Sequence, residues 1–257
     1  MAGFFKSLLA TDRLIRVFCA GRMMHPVAIE MFGIAGGYDG LWLDAEHSGA
    51  SIEQIYVAAL AARARGMGSF VRMPMTSYAA VTQALESGVD GVMAAQINNA
   101  AEAEQFVRWA KFAPRGNRGL NSQGSDGDFT FKPWGQFAPE ANRDHFTAIQ
   151  IETPGAVNDA DAIAAVPDVD LLFIGPADLS QSLGHLGNPN HPDVWAAIER
   201  VAAACRKRGI GWGIVPFDVP CADRCMELGC RMLTFGNDLA AVRLGIKSLK
   251  ETYAKFF

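Results

Sequence analysis

No apolar run in this 257-residue sequence approaches the ~18–20 residues a membrane-spanning helix needs, so no transmembrane segment is expected. Met1 to Ala10 carries one lysine and a short apolar run without a small-residue cleavage site, so a secretory signal is not expected either. Charge is sparse. Charged residues make up 19% and the net charge is −4, which argues against a broad nucleic-acid surface. The basic cluster Arg206-Lys207-Arg208 falls at an expected helix C-terminus, where cations complement the helix dipole. The five cysteines include no Cys-x-x-Cys pair. Cys221, Cys225 and Cys230 have helical spacing around Met226 and Leu228 and read as small core residues, so reduced thiols and a cytoplasmic setting are expected. A Gly-x-Ser-x-Gly elbow, a P-loop and a Gly-x-Gly-x-x-Gly turn are absent. No lysine falls in a strand-like run, which leaves Schiff-base chemistry without a candidate.

What the chain does have is a 50% apolar composition and the length of one α/β barrel, which predicts a single domain over residues 1–257. Strand-like runs lie near Leu14–Cys19, Gly40–Asp44, Ser69–Met73, Gly91–Gln96, Thr147–Ile151, Leu171–Ile174, Gly211–Pro216 and Met232–Phe235. Helical stretches alternate with them. Ser51 with Gln54 and Asn99 with Glu102 read as helix starts, as does Pro192, and Asp161 to Val166 supplies a short crossover helix. Eight such repeats predict a (β/α)₈ barrel. The exception is Pro114 to Ala141, long, glycine-rich and aromatic, which reads as a lid or a subunit contact.

In a barrel of this kind chemistry gathers at the C-terminal ends of the strands. Asp44 and His47 follow the second expected strand, Arg72 ends the third, Gln96 the fourth, Glu152 the fifth, and Asp178 follows the sixth. Glu152 and Asp178 would be carboxylates on one edge of a parallel sheet, and a divalent cation is the usual way to neutralise such a pair. Each alone has a plainer reading, Glu152 as an acid at a helix start before Pro154 and Asp178 as a cap near Ser180. Arg72, in an otherwise apolar strand, needs an anion, either a structural carboxylate or the carboxylate of a substrate. His47 follows Asp44-Ala45-Glu46, a spacing that would let Asp44 orient the imidazole as a general base. Glu46 reads either as a supporting acceptor or as a direct participant. In the loop after the sixth strand, His191 reads as a helix-start residue and His185 as one that would face the mouth, whereas His25 and His145 read as structural.

These motifs resemble the HpcH/HpaI aldolases, metal-dependent class II pyruvate aldolases. The likeness runs from about Ile15 to Leu244 and is most specific in Leu43-Asp44-Ala45-Glu46-His47, Val71-Arg72, Gln150-Ile151-Glu152-Thr153, Phe173 to Ser180 and Gly187-Asn188-Pro189 with His191-Pro192. The resemblance implies a lyase that cleaves a 4-hydroxy-2-oxo acid to pyruvate, or a related 2-keto acid, and an aldehyde. It implies Glu152 and Asp178 as ligands of Mg²⁺, Mn²⁺ or Co²⁺, Arg72 as the holder of the keto acid and its enolate, and His47 supported by Asp44 as the base. Gln150 would be a polar neighbour of the site, and the backbone of Gly175, Pro176, Ala177 and Asp178 would contact the keto acid. The resemblance further implies a pyruvate-type (β/α)₈ barrel whose last helix is exchanged between subunits of a homohexamer, with Glu86 reaching a neighbouring active site. The apolar face of Leu239 to Tyr253 fits that picture. Ala94-Ala95-Gln96-Ile97 stands where the family has a Val-Pro or Ile-Pro step, Glu86 where an aspartate is usual, and the stretch through Trp134 departs as well. These differences bear on the aldehyde and leave the metal and keto acid groups intact. An oxaloacetate decarboxylase, a CoA-thioester lyase and a non-catalytic metabolite-binding barrel are the other readings; a CoA site would call for a basic groove that the sequence does not show.

Overall fold

The computed structural model describes residues 3–257, so Met1 and Ala2 of the expected 1–257 unit lie outside it. Eight parallel strands close in sequence order: β1 (Ile15–Ala20), β2 (Gly40–Asp44), β3 (Gly68–Pro74), β4 (Gly91–Ala95), β5 (Phe146–Ile151), β6 (Leu171–Ile174), β7 (Gly211–Ile214) and β8 (Met232–Asn237). The ladder from β8 back to β1 completes the expected (β/α)₈ barrel. Alternation along each strand divides the side chains into two sets. Val17, Trp42, Phe70, Met93, Phe146, Ala148, Leu171, Phe173 and Met232 fill the lumen, with Phe5 plugging its N-terminal end. Leu41, Leu43, Val71, Val92, Ile149, Ile151, Leu172 and Ile174 point outward to the helices.

The same period of two carries polar groups to the top of the lumen. Asp44 follows Trp42 on the inward face, Arg72 follows Phe70, and Gln150 follows Ala148. The aromatic layer beneath is buried, so these polar groups face the C-terminal mouth.

The helix starts form as the sequence indicates. Ser51 and Gln54 make a reciprocal capping box, Asn99 Oδ1 accepts from the Glu102 N–H at 3.0 Å, and His191 caps the helix that opens at Pro192. The crossover between β5 and β6 differs from the single helix expected over Asp161–Val166. It is two short helices, Pro154–Asn158 and Ala160–Ile163. Thr153 and Pro154 start the first immediately after Glu152, and Asp159, held by the Ala100 N–H at 2.7 Å, separates the two.

The segment Pro114 to Ala141 does not cover the mouth. The Gly119 N–H donates to the Tyr78 hydroxyl and Asn121 to Glu86, so the segment runs along the outside of the helix Tyr78–Glu86. It continues beneath the barrel, where Arg118 bonds Asp126 and His145, just before β5. No hydrogen bond or ion pair among the described residues joins it to Asp44, Arg72, Glu152 or Asp178. The lid reading is therefore replaced by a lateral position, with Phe131 (90% exposed), Phe129 and Trp134 facing outward.

The last helix, Asp238–Thr252, is tied down at its start only. The Asp238 carboxylate accepts the N–H groups of Gly21, Arg22 and Met23 at 2.7–2.9 Å, and Asp238 is the helix's one buried residue. Leu239, Val242, Leu244, Ile246 and Leu249 are exposed, so within one chain its apolar face stays uncovered.

Candidate active site

β2 and β3 pair in a register that puts Asp44 opposite Arg72. The Asp44 carboxylate receives Arg72 Nε–H at 3.1 Å and Nη2–H at 2.8 Å, a bidentate pair with both side chains buried. Glu46 Oε2 lies 3.1 Å from Arg72 Nη1, and the Trp42 ring lies beneath the guanidinium, 4.5 Å from its carbon. Burial alone would lower the arginine's pKa; the hydrogen bonds it donates to Asp44 and the charges of Asp44 and Glu46 outweigh it and raise the value. Of the two partners weighed for Arg72, structural carboxylates take the Nε edge. A substrate anion would share the Nη1 edge with Glu46.

This pairing corrects the expected Asp44–His47 dyad. Asp44 meets His47 only through the backbone, accepting the His47 N–H at 3.4 Å and the Glu46 N–H at 3.1 Å. The His47 side chain is 61% exposed, and its Nε2 stands 3.7 Å from Glu46 Oε2. A guanidinium fixed on the adjacent strand offers Asp44 two parallel donors, which the imidazole cannot match. Glu46 therefore touches both Arg72 and His47, a more direct position than the sequence alone established.

Glu152, directly after β5, is 1% exposed. Its Oε1 accepts from the Gln96 backbone N–H at 2.8 Å and side-chain Nε2 at 3.0 Å; its Oε2 accepts from Gln150 Nε2 at 2.5 Å. Gln96 was expected to end the fourth strand. It lies one residue beyond β4 with φ 57°, and that left-handed turn is what aims its N–H at the carboxylate. Such a backbone is costly for a residue with a side chain and is sustained by the bonds it makes. Burial pushes the Glu152 carboxyl up to about 7, reinforced by the charges of Asp178 and Glu46 and opposed by the Gln96 N–H and Arg72. Asp178, in the first turn of the helix Pro176–Ser182, is half-buried and lies within the same field.

The floor beside these groups is Gly175. A Cβ there would come within 2.7 Å of Gln150 Nε2 and 2.8 Å of Glu152 Oε2, so a side chain at this position would push both groups aside. Gln150 Oε1 is buried and accepts no hydrogen bond from the described residues. A carboxylate held near its protonated state, an orphaned amide oxygen and a second carboxylate make an all-oxygen set suited to a hard divalent cation. Glu86 lies outside the mouth on its helix, bonded by Asn121 Nδ2 at 3.1 Å. His185 does not turn to the mouth; its Nε2 pairs with Asp193 at 2.8 Å. His145 is buried against Arg118, and burial lowers its pKa well below the usual value. Lys111, the one buried lysine among the described residues, bonds the Asn142 and His145 carbonyls beneath the barrel, away from the mouth.

The model of the HpcH/HpaI aldolase/citrate lyase family matches residues 16–243. The 5-keto-4-deoxy-D-glucarate aldolase of Klebsiella pneumoniae is 30% identical over 251 residues, 98% of this chain and 96% of that one. The crystal structure of an HpcH/HpaI aldolase from Desulfitobacterium hafniense superposes with a TM-score of 0.88 at 31% identity, covering 97% of this chain and 98% of the other. A family protein from Burkholderia cenocepacia gives 0.89 at 30% identity, over 98% and 99%. On the family match, the shared barrel and near-complete coverage, this chain belongs to the HpcH/HpaI aldolase/citrate lyase family.

Proposed function

We propose that the protein is a carbon–carbon lyase, a class II aldolase that reversibly cleaves a 4-hydroxy-2-oxo acid to pyruvate, or a related 2-keto acid, and an aldehyde. The observation that carries this is the juxtaposition, at one mouth, of the buried Glu152 carboxylate with the desolvated Arg72 guanidinium, fixed by Asp44 and flanked by Glu46. Glu152 and Asp178 would hold a divalent cation, Mg²⁺, Mn²⁺ or Co²⁺, with Gln150 Oε1 beside it. When bound, such an ion supplies Lewis acidity toward the keto oxygen.

The remaining work falls to this chain's own side chains. Arg72, immobilised by Asp44 and stacked on Trp42, presents fixed positive charge to the substrate carboxylate and to the enolate oxygen. A donor that is already oriented need not reorganise as charge develops. His47, at the solvent edge with Glu46 beside its Nε2, takes the proton from the C4 hydroxyl as the C3–C4 bond breaks. In the synthetic direction it returns that proton. The aromatic layer of Trp42, Phe70 and Phe173 excludes water from below. Gly175 through Asp178 provide the backbone wall against which the keto acid lies.

The curated relatives take 5-keto-4-deoxy-D-glucarate, whose cleavage between C3 and C4 of the 2-oxo acid leaves a three-carbon hydroxy-aldehyde acid beside pyruvate. Supplying the protein with pyruvate, Mg²⁺, Mn²⁺ or Co²⁺ and a panel of aldehydes that includes hydroxylated aldehyde acids tests the assignment. New C–C bond formation that disappears with chelator is the expected result. Decarboxylation of oxaloacetate or turnover of a CoA thioester without aldol activity would favour the other lyase readings; no turnover at all would favour a binding barrel.

The whole chain, residues 1–257, acts in this reading as one catalytic unit in a cytoplasmic homo-oligomer. Five free thiols fit that compartment, and no helix among the described residues is long and apolar enough to cross a membrane. The uncovered face of Asp238–Thr252, with the outward Phe131 and Trp134 and the laterally placed Glu86, supports a hexamer that exchanges its last helix and shares its sites. Light scattering is expected to give a multiple of the chain mass. A fully active monomer would contradict shared sites.

A further inference from the structure

We propose that His185, His191 and Asp193 form a second divalent-cation site, of imidazole–carboxylate type and separate from the oxygen groups of the mouth. His185 Nε2 lies 2.8 Å from Asp193 Oδ2, and His191 Nδ1 lies 3.6 Å from the same oxygen. One ligand atom from each residue falls within 4.8 Å of the others. The two rings stack with centroids 3.4 Å apart and an interplanar angle of 15°. The stack brings both imidazoles beside one carboxylate. Asp193 supplies the anion.

The loop that carries these groups is built and held. Gly184 and Gly187 turn the chain with φ 83° and 78°, and prolines at 189 and 192 stiffen it. The Asn188 N–H donates to the His185 carbonyl at 2.9 Å, and the His191 N–H to the Asn188 carbonyl at 3.1 Å. Trp195 Nε1–H anchors Asn190 Oδ1 at 2.7 Å. The loop backbone is thus ordered before any ion binds, and the ligand side chains have only to close on it.

An N₂O set selects borderline cations such as Zn²⁺, Ni²⁺ and Cu²⁺ over Mg²⁺. Zinc bonds of ~2.0–2.2 Å place tetrahedral ligand atoms roughly 3.3–3.5 Å apart, closer than the widest separation here. Contraction is feasible because Asp193 is 65% exposed and the rings can open at their solvent edge. His191 Nδ1 would release the Asp193 N–H, bonded at 3.2 Å, to water. Water fills the fourth position. The bound ion would clamp the loop onto the helix Pro192–Arg208 and, through the His185 N–H to Ser180 carbonyl bond of 2.7 Å, onto the helix that carries Asp178.

The test is metal binding, so it does not depend on the aldolase reading. Chelator-stripped protein is titrated with Zn²⁺ by calorimetry, alone and in millimolar Mg²⁺, and Cu²⁺-loaded protein is read by EPR. Wild type is expected to take about two Zn²⁺ per chain, one of them resistant to Mg²⁺, with a nitrogen-coupled Cu²⁺ signal. His185→Gln and Asp193→Asn, both near the surface and checked for an unchanged circular dichroism spectrum, should lose the resistant ion. Glu152→Gln should keep it. Equal Mg²⁺-resistant binding in wild type and both loop variants, or no such binding in wild type, would overturn the proposal and leave a histidine–aspartate ion pair only.

Discussion

Replacing Arg72 with alanine is expected to lower kcat/KM by roughly 10²-fold or more, in line with the loss of a preorganised donor to a developing oxyanion. The reason is geometric. Asp44 grips the guanidinium by two hydrogen bonds, Trp42 supports its face and Glu46 flanks Nη1, so the group is fixed before substrate arrives. The same variant strands the Asp44 and Glu46 carboxylates in a buried site, and breaking such a pair costs about 3–5 kcal/mol. Activity must therefore be assayed well below the variant's melting temperature. Arg72→Lys separates the two effects: it retains the charge but loses the planar fork, so it should recover stability and leave activity impaired. Near-normal turnover in either variant would remove Arg72 from the mechanism.

Glu152→Gln is expected to move activity and stability in opposite directions. The amide keeps the shape but removes the buried negative charge, and the loss of Lewis-acid assistance worth several kcal/mol corresponds to about 10³-fold in rate. In the metal-free wild type, burial raises the Glu152 carboxyl from 4.5 to about 7. The folded state thus binds its proton more tightly than the unfolded chain does. The stabilisation is complete below about pH 4.5 and is lost as the pH rises through about 7. Above that range an unneutralised Glu152 weakens the fold by an amount on the order of 3 kcal/mol. The glutamine variant should be more heat-stable than metal-free wild type at pH 8, the two should converge toward pH 5, and added Mn²⁺ should raise Tm only in the wild type. Parallel Tm–pH curves, or an equal response to Mn²⁺, would contradict the assignment.

Both predictions concern residues that were legible in the sequence, for the same physical reason. Inward polar residues two positions after apolar lumen residues mark the top of a barrel, as Asp44 does after Trp42, Arg72 after Phe70 and Gln150 after Ala148. Pairing was harder to read. Asp44 precedes His47 by three residues, yet its side chain goes to Arg72 across the sheet, because register brings the β2 and β3 ends together. Local spacing does not contain register. Gln96 was visible as a strand end, but its left-handed turn depends on a carboxylate 56 residues later. The position of Pro114 to Ala141 follows from chain order: it joins a helix to the next strand, and in a (β/α)₈ barrel such connections lie opposite the mouth. The His185–His191 stack required two glycine turns to fold the loop back on itself.

The central claim is that Glu152, Asp178 and Arg72 together stabilise a pyruvate enolate with the help of a divalent cation. Exchange of the pyruvate methyl protons in D₂O, followed by NMR without any aldehyde present, measures that step alone. Exchange with Mn²⁺ or Mg²⁺ that stops on chelation, returns on adding the ion back and is lost in Glu152→Gln and Arg72→Ala is the predicted result. Exchange that survives chelation and is instead arrested by borohydride, with pyruvate left covalently on a lysine, would contradict it.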